Sequence, residues 1–310
     1  MDSLRKKTLE NQGYRLVGDH SVIKICLWCK KSLKDEDTCY KNTFYGINSH
    51  RCVQMSPIID VCSLSCEWCW RDVNKTSLKL DVVNSPKEII DGCIKEQKKI
   101  LQGFLGNKKT NLKKFKEAMK PKHFAISLTG EPTYYPELPE LINELKKREI
   151  SSFLVTNGTN PDMLKKLIKN QPTQLYITLP APDEDVFKRV CRPLIKNAWG
   201  NILESLSLMS KFKRNVVRLT LVKDLNMLNP DGYSKLIKKA KPFFVEVKAG
   251  MATGYARYRI GYEQMPLHSE IKEFSKQIAK FTNYKVMDEK KESRVVLLMK
   301  EDKGRKLKSF

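Results

Sequence analysis

The chain has 310 residues, and 58 Lys and Arg against 35 Asp and Glu leave it a formal net charge of +23. With 41% apolar and 30% charged residues it can bury a core, which excludes a disordered basic tail. No apolar run approaches the roughly 18–20 residues of a membrane-spanning helix, and the opening MDSLRKKTLENQGYRLV lacks the apolar stretch of a secretory signal. A soluble, cytoplasmic protein in a reducing compartment is the expectation.

Nine cysteines follow, and seven of them lie between Cys26 and Cys69. An odd number without an export signal argues for metal binding or catalysis over a disulfide framework. Cys26, Cys39 and Cys52 are separated by 12 residues twice, and Cys29 adds a C-x-x-C with Cys26. Three evenly spaced thiols suit a cluster with one open iron, and all four suit a closed zinc site. Spacing alone leaves both open. After the apolar run Pro57–Val61, read as a strand over Ile58–Val61, comes Cys62-Ser-Leu-Ser-Cys66-Glu-Trp-Cys69. These three thiolates fall short of the four that an ordinary iron–sulfur cluster takes. A reactive centre needs such an open position.

Downstream, β-branched and aromatic runs predict strands at His123–Leu128, Ser152–Thr156, Gln174–Leu179, Val216–Val222 and Phe243–Val247. Between them, apolar residues recur at helical spacing: Leu138, Leu141, Ile142 and Leu145; Met163, Leu164, Leu167 and Ile168; Trp199, Ile202, Leu203, Leu206 and Met209. Pro161-Asp162 and Pro230-Asp231 read as helix starts. Cys93 reads as a small core residue of an amphipathic stretch. Alternating strands and helices imply a parallel sheet covered by helices, with six units too few for a closed eight-stranded barrel. Active sites of such folds lie at the carboxyl ends of the strands. Gly130-Glu131, Thr156-Asn157, Thr178 and Lys248 fall there. Charge is concentrated in Lys95–Lys122 and in the tail Lys303–Lys308, as phosphate binding would require. Tyr255, Arg257 and Arg259, in the stretch Met251–Tyr262, pair cations with rings suited to unstacked bases.

The Cys62, Cys66 and Cys69 spacing, with Trp68 in the aromatic place, resembles the signature of radical S-adenosylmethionine (SAM) enzymes. Preceded by the C-x12-C-x12-C set, it resembles the family that makes 4-demethylwyosine in tRNA, over nearly the whole chain from Cys26 to Tyr262. The resemblance implies an α/β fold, a partial (β/α)6 radical SAM barrel over residues 57–262. Residues 1–56 would carry a second cluster, and residues 263–310 would add a helix, a hairpin and a basic tail.

It implies two [4Fe-4S] clusters, one on Cys62, Cys66 and Cys69 with SAM on its open iron, the other on Cys26, Cys39 and Cys52, leaving Cys29 outside the pattern. Gly130-Glu131 is similar to the family's GGE motif, which binds the SAM amine, although Thr129 replaces its first Gly. Trp68, Thr156, Asn157 and Thr178 would join it around SAM. Lys41, two residues past Cys39, would meet pyruvate as a Schiff base or a positive neighbour. Lys248, Tyr255, Arg257 and Arg259 would contact substrate or RNA. The implied enzyme is a lyase. A 5′-deoxyadenosyl radical takes hydrogen from N1-methylguanosine next to the anticodon of tRNA-Phe, and pyruvate gives two carbons. The implied protein is a monomer of archaeal type. With no room for a flavodoxin-like domain before Cys26, a separate flavodoxin or ferredoxin is expected as electron donor. Two rivals stand beside this reading: another radical SAM enzyme indifferent to pyruvate, and a zinc-containing RNA-binding protein.

Overall fold

A computed structural model describes residues 3–307, so that Lys308 of the basic tail lies outside the described residues. After a helix at Ser3–Asn11 comes an antiparallel pair, β1 (Arg15–Val17) and β2 (Ser21–Ile23). β3 (Cys52–Ser56) pairs antiparallel with β2 and starts a run of parallel strands. The run continues through β4 (His123–Ile126), β5 (Ser151–Thr156), β6 (Gln174–Thr178), β7 (Asn215–Leu221) and β8 (Phe244–Ala249). A hairpin of β9 (Lys285–Lys290) and β10 (Val295–Met299) adds antiparallel to β8 through β10. Among the described residues this makes one sheet of ten strands, with β1 and β9 as its edges. Six parallel strands at its centre form the partial radical SAM barrel expected.

Five of the six parallel strands fall within a residue or two of their expected positions. The first does not. Ile58–Val61 is not a strand; β3 ends at Ser56, before Pro57, which has no N–H for a ladder. Asp60 then takes a left-handed backbone (φ 60°) that no strand tolerates. Ile58, Ile59 and Val61 are apolar because they pack beneath the sheet, in a bent loop. Cys52 therefore stands inside the first parallel strand, and the Cys62 loop begins further from it.

The two faces of the strands part cleanly, because side chains alternate along a strand. Val53, Phe124, Ile126, Leu154, Leu175, Ile177, Val217, Leu219, Val245 and Val247 point toward the helices. There they meet the apolar stripes of Pro86–Gln102, Leu138–Lys147, Pro161–Leu167, Ala198–Ser207, Pro230–Ala240 and His268–Phe281. Cys93 is one of these core residues, fully buried. Pro161 and Pro230 begin their helices as expected, each behind an Asn whose side chain caps the first turn. On the opposite, inner face Phe153, Tyr176, Val216, Phe244, Val295, Leu297 and Met299 surround Tyr40, Phe44 and Tyr45. The helix Tyr40–Tyr45 thus enters the barrel from outside the strand–helix repeat. Among the described residues no helix is long and apolar enough to cross a membrane.

Leu141 is wholly enclosed between its helix and the sheet. Leu141→Ala should lower the unfolding free energy by about 2–5 kcal/mol, the range for such truncations, read from the midpoint of denaturant unfolding at unchanged slope.

Candidate active site

The loop carrying Cys62, Cys66 and Cys69 is held by backbone from three directions. Cys62 N donates to the Ser77 carbonyl (3.1 Å), Ser65 N to Cys191 (2.9 Å), Glu67 N to Val190 (3.0 Å), and Leu194 N returns to Ser63 (2.8 Å). The third hold comes from the basic–aromatic stretch. Arg259 Nε donates to the Glu67 carbonyl at 3.1 Å and its Nη2 to that of Cys69. Tyr255 N donates to the Trp70 carbonyl at 3.0 Å. Gly254 permits this approach: its φ is 55°, and a Cβ there would stand 2.6 Å from the Trp70 carbonyl oxygen. Arg259 is thus turned inward onto the loop, while Tyr258 and Tyr262 are 72% and 68% exposed. Arg257 lies over the Tyr258 ring, 5.3 Å from its centre. Trp68 packs half-buried against the main core and against Val222, Ala252, Ala256 and Ile260.

Burial pushes the Cys62 thiol up to about 12, and the nearby Arg71 guanidinium works against that shift. Arg71 is buried, bonded to the Leu64 carbonyl (3.2 Å), and its charge also faces Cys69. Asn157 Nδ2 reaches Cys62 Sγ at 3.7 Å. Three half-buried thiols under a cation and an amide donor suit an anionic iron–sulfur cluster. Among the described residues no three His, Cys, Asp or Glu side chains are gathered into the geometry of a single-ion site. The fit rests on donor chemistry.

The strand ends converge on Glu131, almost fully buried. Its Oε1 accepts from Thr133 N (3.1 Å), Thr133 Oγ1 (2.7 Å) and Thr156 Oγ1 (2.6 Å), and its Oε2 from Asn157 N (2.7 Å). Oε2 retains acceptor capacity for one more donor. Gly130 is dictated by space: its φ is 64°, and a Cβ would lie 2.6 Å from the Ile58 carbonyl oxygen. Thr129 leaves its carbonyl to Ser56 Oγ. Asn157 also bonds Ser63 Oγ (3.0 Å), tying this turn to the cysteine loop. Thr178 closes β6, half-buried.

The upstream cysteines mark three element starts. Cys26 caps the helix Leu27–Leu33, with Cys29 N at 3.3 Å from its sulfur, and Cys39 caps Tyr40–Tyr45, with Lys41 N at 3.5 Å. Cys52 opens β3. Burial pushes the Cys26 thiol up to about 11, with Cys39 next in effect; burial and then Cys26 raise that of Cys52. Cys29 is the most enclosed of the four, and its thiol faces the His50 carbonyl at 3.7 Å.

Beside Cys39, Lys41 is 8% exposed, and its Nζ stands 5.2, 5.8 and 5.6 Å from the ring centres of Tyr40, Phe153 and Tyr176. Arg218 stacks over Tyr176 at 4.4 Å, pairs with Glu246 at 2.9 Å and donates to Tyr40 Oη at 2.7 Å. Tyr45 Oη donates to the other Glu246 oxygen at 2.6 Å. Lys248, near the end of β8, is half-buried and also reaches the Tyr40 ring, 5.9 Å from its centre. Its Nζ donates to the Ser293 carbonyl at 2.7 Å. Burial and the Arg218 charge bring Lys248 down to about 8. For Lys41 burial pulls the same way, but Tyr40, Cys39 and Glu246, as anions, outweigh it and raise its pKa.

The structure therefore gathers two groups. Cys62, Cys66, Cys69, Glu131, Thr156 and Asn157 lie round one loop; Cys39, Lys41 and Lys248 share the inner chamber. Arg71, Arg218 and Tyr40 were missed from sequence. Arg218 had left one signal, a cation inside the apolar run Val216–Val222.

Comparison with known proteins agrees with this geometry. Residues 56–231 match the model of the radical SAM superfamily, and residues 239–300 match that of wyosine base formation. The S-adenosyl-L-methionine-dependent tRNA 4-demethylwyosine synthase of Pyrococcus abyssi is 46% identical over 94% of this chain and 87% of its own. That of Methanocaldococcus jannaschii is 36% identical over 96% of each. A solved structure of TYW1 with a lysine-pyruvate adduct bound is 36% identical, with a TM-score of 0.89 over 99% of this chain and 98% of the other. The chain belongs to the tRNA 4-demethylwyosine synthase family of radical SAM enzymes.

Glu246 is fully buried, and Arg218 is the one residue among the described ones that forms an ion pair with it. Arg218→Met should cost about 3–5 kcal/mol by leaving that carboxylate unpaired. Adding Glu246→Gln should recover much of the loss in the same unfolding measurement.

Proposed function

We propose that this enzyme joins a two-carbon unit of pyruvate to N1-methylguanosine next to the anticodon of tRNA-Phe, closing the third ring of 4-demethylwyosine. One observation carries the reading in its detail. A lysine is buried in the barrel beside a cysteine of the upstream set, and the solved relative that covers this chain carries a lysine-pyruvate adduct.

Cys62, Cys66 and Cys69 would hold a [4Fe-4S] cluster with SAM, and that pair would supply the radical chemistry at the N1-methyl group. The chain's own groups orient and exclude water. Arg71 and Asn157 face the sulfurs, and Glu131 offers its spare Oε2 acceptor to the SAM amine. Trp68, Thr156, Asn157 and Thr178 line the approach. Cys26, Cys39 and Cys52 would hold a second [4Fe-4S] cluster; the helix-start N–H groups on the sulfurs of Cys26 and Cys39 support this.

The Lys41 amine adds to C2 of pyruvate. Its nitrogen–carbon bond forms, the two N–H protons of the neutral amine pass to the keto oxygen, and that oxygen leaves as water, giving the imine. Tyr40, Phe153 and Tyr176 wall the amine from solvent. Tyr255 and Arg257, with the exposed Tyr258 and Tyr262, stack on anticodon-loop bases, and the target base is drawn out of its stack to meet the radical at near contact. A flavodoxin- or ferredoxin-type donor supplies the electron to the monomer in the cytoplasm.

Anaerobic incubation with SAM, reductant, pyruvate and tRNA carrying N1-methylguanosine should yield 4-demethylwyosine by nucleoside mass analysis. SAM cleavage without pyruvate-dependent product would favour a different radical SAM reaction. Anaerobically reconstituted protein should hold about eight irons per chain if both sites carry four; four irons with one zinc would refute the second cluster. Lys41→Ala should lose both product and the adduct trapped by borohydride. An adduct that survives the substitution would remove Lys41 from the site.

A further inference from the structure

The basic tail of the sequence does not stand free. Arg305 is half-buried and pairs with Asp288 of β9 at 2.6 Å. Lys306 is exposed, yet its Nζ donates to the Thr43 carbonyl and, at 3.4 Å, to that of Asn42. Leu307 N donates to the Tyr45 carbonyl at 2.9 Å, and its side chain packs against the inner cluster. All three carbonyls belong to the helix Tyr40–Tyr45. The last carbonyls of a helix lack partners within it and carry its negative end. An ammonium and an N–H of the tail answer both needs.

A second observation lies beneath the same helix. Arg214, just before β7, shares the inner face with Val216 and Arg218, since side chains alternate along a strand. Its guanidinium stands 6.0 and 5.1 Å from the ring centres of Tyr45 and Phe244. It donates to the tail carbonyls of Gly304 at 2.6 Å and Arg305 at 2.8 Å, and to Gln174 Oε1 at 3.3 and 3.1 Å. Without the tail this half-buried cation would lose two of its acceptors. Two arginines of one strand face thus serve the two ends of the helix. Arg218 reaches Tyr40 at its start, and Arg214 lies against Tyr45 at its end. Upstream, Lys290 of β9 holds Asp37 at 2.6 Å, two residues before Cys39. The segment that carries Cys39 and Lys41 is therefore bracketed on both sides by the C-terminal part of the chain.

We infer that residues 304–307, anchored by Arg214, position the helix Tyr40–Tyr45 and so set where the Lys41 amine stands. The tail then belongs to the imine-forming half of the enzyme and not to its RNA-binding surface. This rests on the proposed Lys41 chemistry and extends it to residues far along the chain. The physical need is plain. A helix of six residues is not stable by its own hydrogen bonds, so its placement depends on what holds it from outside. Attack on C2 of pyruvate requires the amine at near contact and correct angle, and small displacements slow such a step steeply. Arg218 and Glu246 fix the start of the helix and its two tyrosines. The tail fixes its end, which those two residues reach only through the Tyr45 hydroxyl.

The test uses reconstituted holoenzyme, with the rate of borohydride-trapped pyruvate adduct on Lys41 measured beside tRNA binding over a salt series. Arg305→Gln combined with Lys306→Gln should slow adduct formation at saturating pyruvate by roughly 10- to 100-fold. The half-saturating pyruvate concentration should change much less, and tRNA affinity and its salt slope should stay as in wild type. Lys306→Arg alone should keep the wild-type rate, since a guanidinium can reach the same carbonyls. A double variant with wild-type adduct rate and a weaker, flatter salt dependence of tRNA binding would overturn the inference and leave the Lys41 chemistry standing. A lower unfolding midpoint with an unchanged adduct rate would overturn it too, as a purely structural contact. No adduct in the wild type would overturn the Lys41 chemistry and this inference with it. If the double variant does not hold its clusters, single-residue hydrogen exchange of the wild type decides. The Leu307 amide should exchange as slowly as the amides of the helix Tyr40–Tyr45, and exchange at the rate of a free chain overturns the inference.

Discussion

The Arg218–Glu246 ion pair holds the inner chamber together. A sheet of six parallel strands leaves a bore that an eight-stranded barrel would fill with its own side chains. Here the filling is borrowed from the helix Tyr40–Tyr45, which lies outside the strand–helix repeat. Apolar contact from Phe44 and Phe244 provides bulk but little direction. The direction comes from Arg218 and Glu246, each reaching from its strand to a different tyrosine of that helix. Because both charges are enclosed, either alone would be costly, and the helix has one well-satisfied seat. Lys41, between those tyrosines in sequence, is delivered to the chamber by that seat.

The outer half of this architecture was legible in the sequence. Core-facing strand residues and helix stripes repeat with periods that amino-acid type reveals, and Pro161 and Pro230 announce their helices. The inner half was less so. A residue facing the bore can be aromatic, charged or small, since it meets an inserted segment instead of a uniform apolar layer. Arg218, Glu246 and Lys248 all alternate with apolar neighbours, as surface residues of a half-exposed strand do. The pattern that places them on the inner face does not say whether that face meets solvent. The misplaced first strand has a related cause. Ile58, Ile59 and Val61 satisfy a strand's composition while packing as a bent loop, and Asp60 turns the backbone at their centre.

Of the site, the cysteine spacings were the readable part, because three thiols at fixed intervals with an open fourth position suit an iron–sulfur cluster and little else. What surrounds them was not. Arg71 lies close in sequence to Cys69 but is one cation among 58, and only its burial against the loop sets it apart. Most of the net charge sits on surface lysines, where it serves long-range attraction for a polyanion. The few enclosed cations act at short range and each has a particular anion, sulfur or ring to face.

Arg259 shows how these two roles meet. Its guanidinium closes on the carbonyls of Glu67 and Cys69, while Tyr258, the preceding residue, stands open to solvent. Four residues before Tyr258, Gly254 brings the same segment against Trp70 at a distance that no side chain would allow. A base stacked on Tyr258 would therefore be registered to the cysteine loop through a few bonds of rigid backbone. Radical chemistry demands that precision, since a primary radical reacts with whatever hydrogen is nearest. If the tyrosines stood on a mobile arm, affinity for RNA would survive but the position of the methyl group would not. If this segment stacks on bases as proposed, its attachment to the cysteine loop would contribute to selectivity, not only to binding.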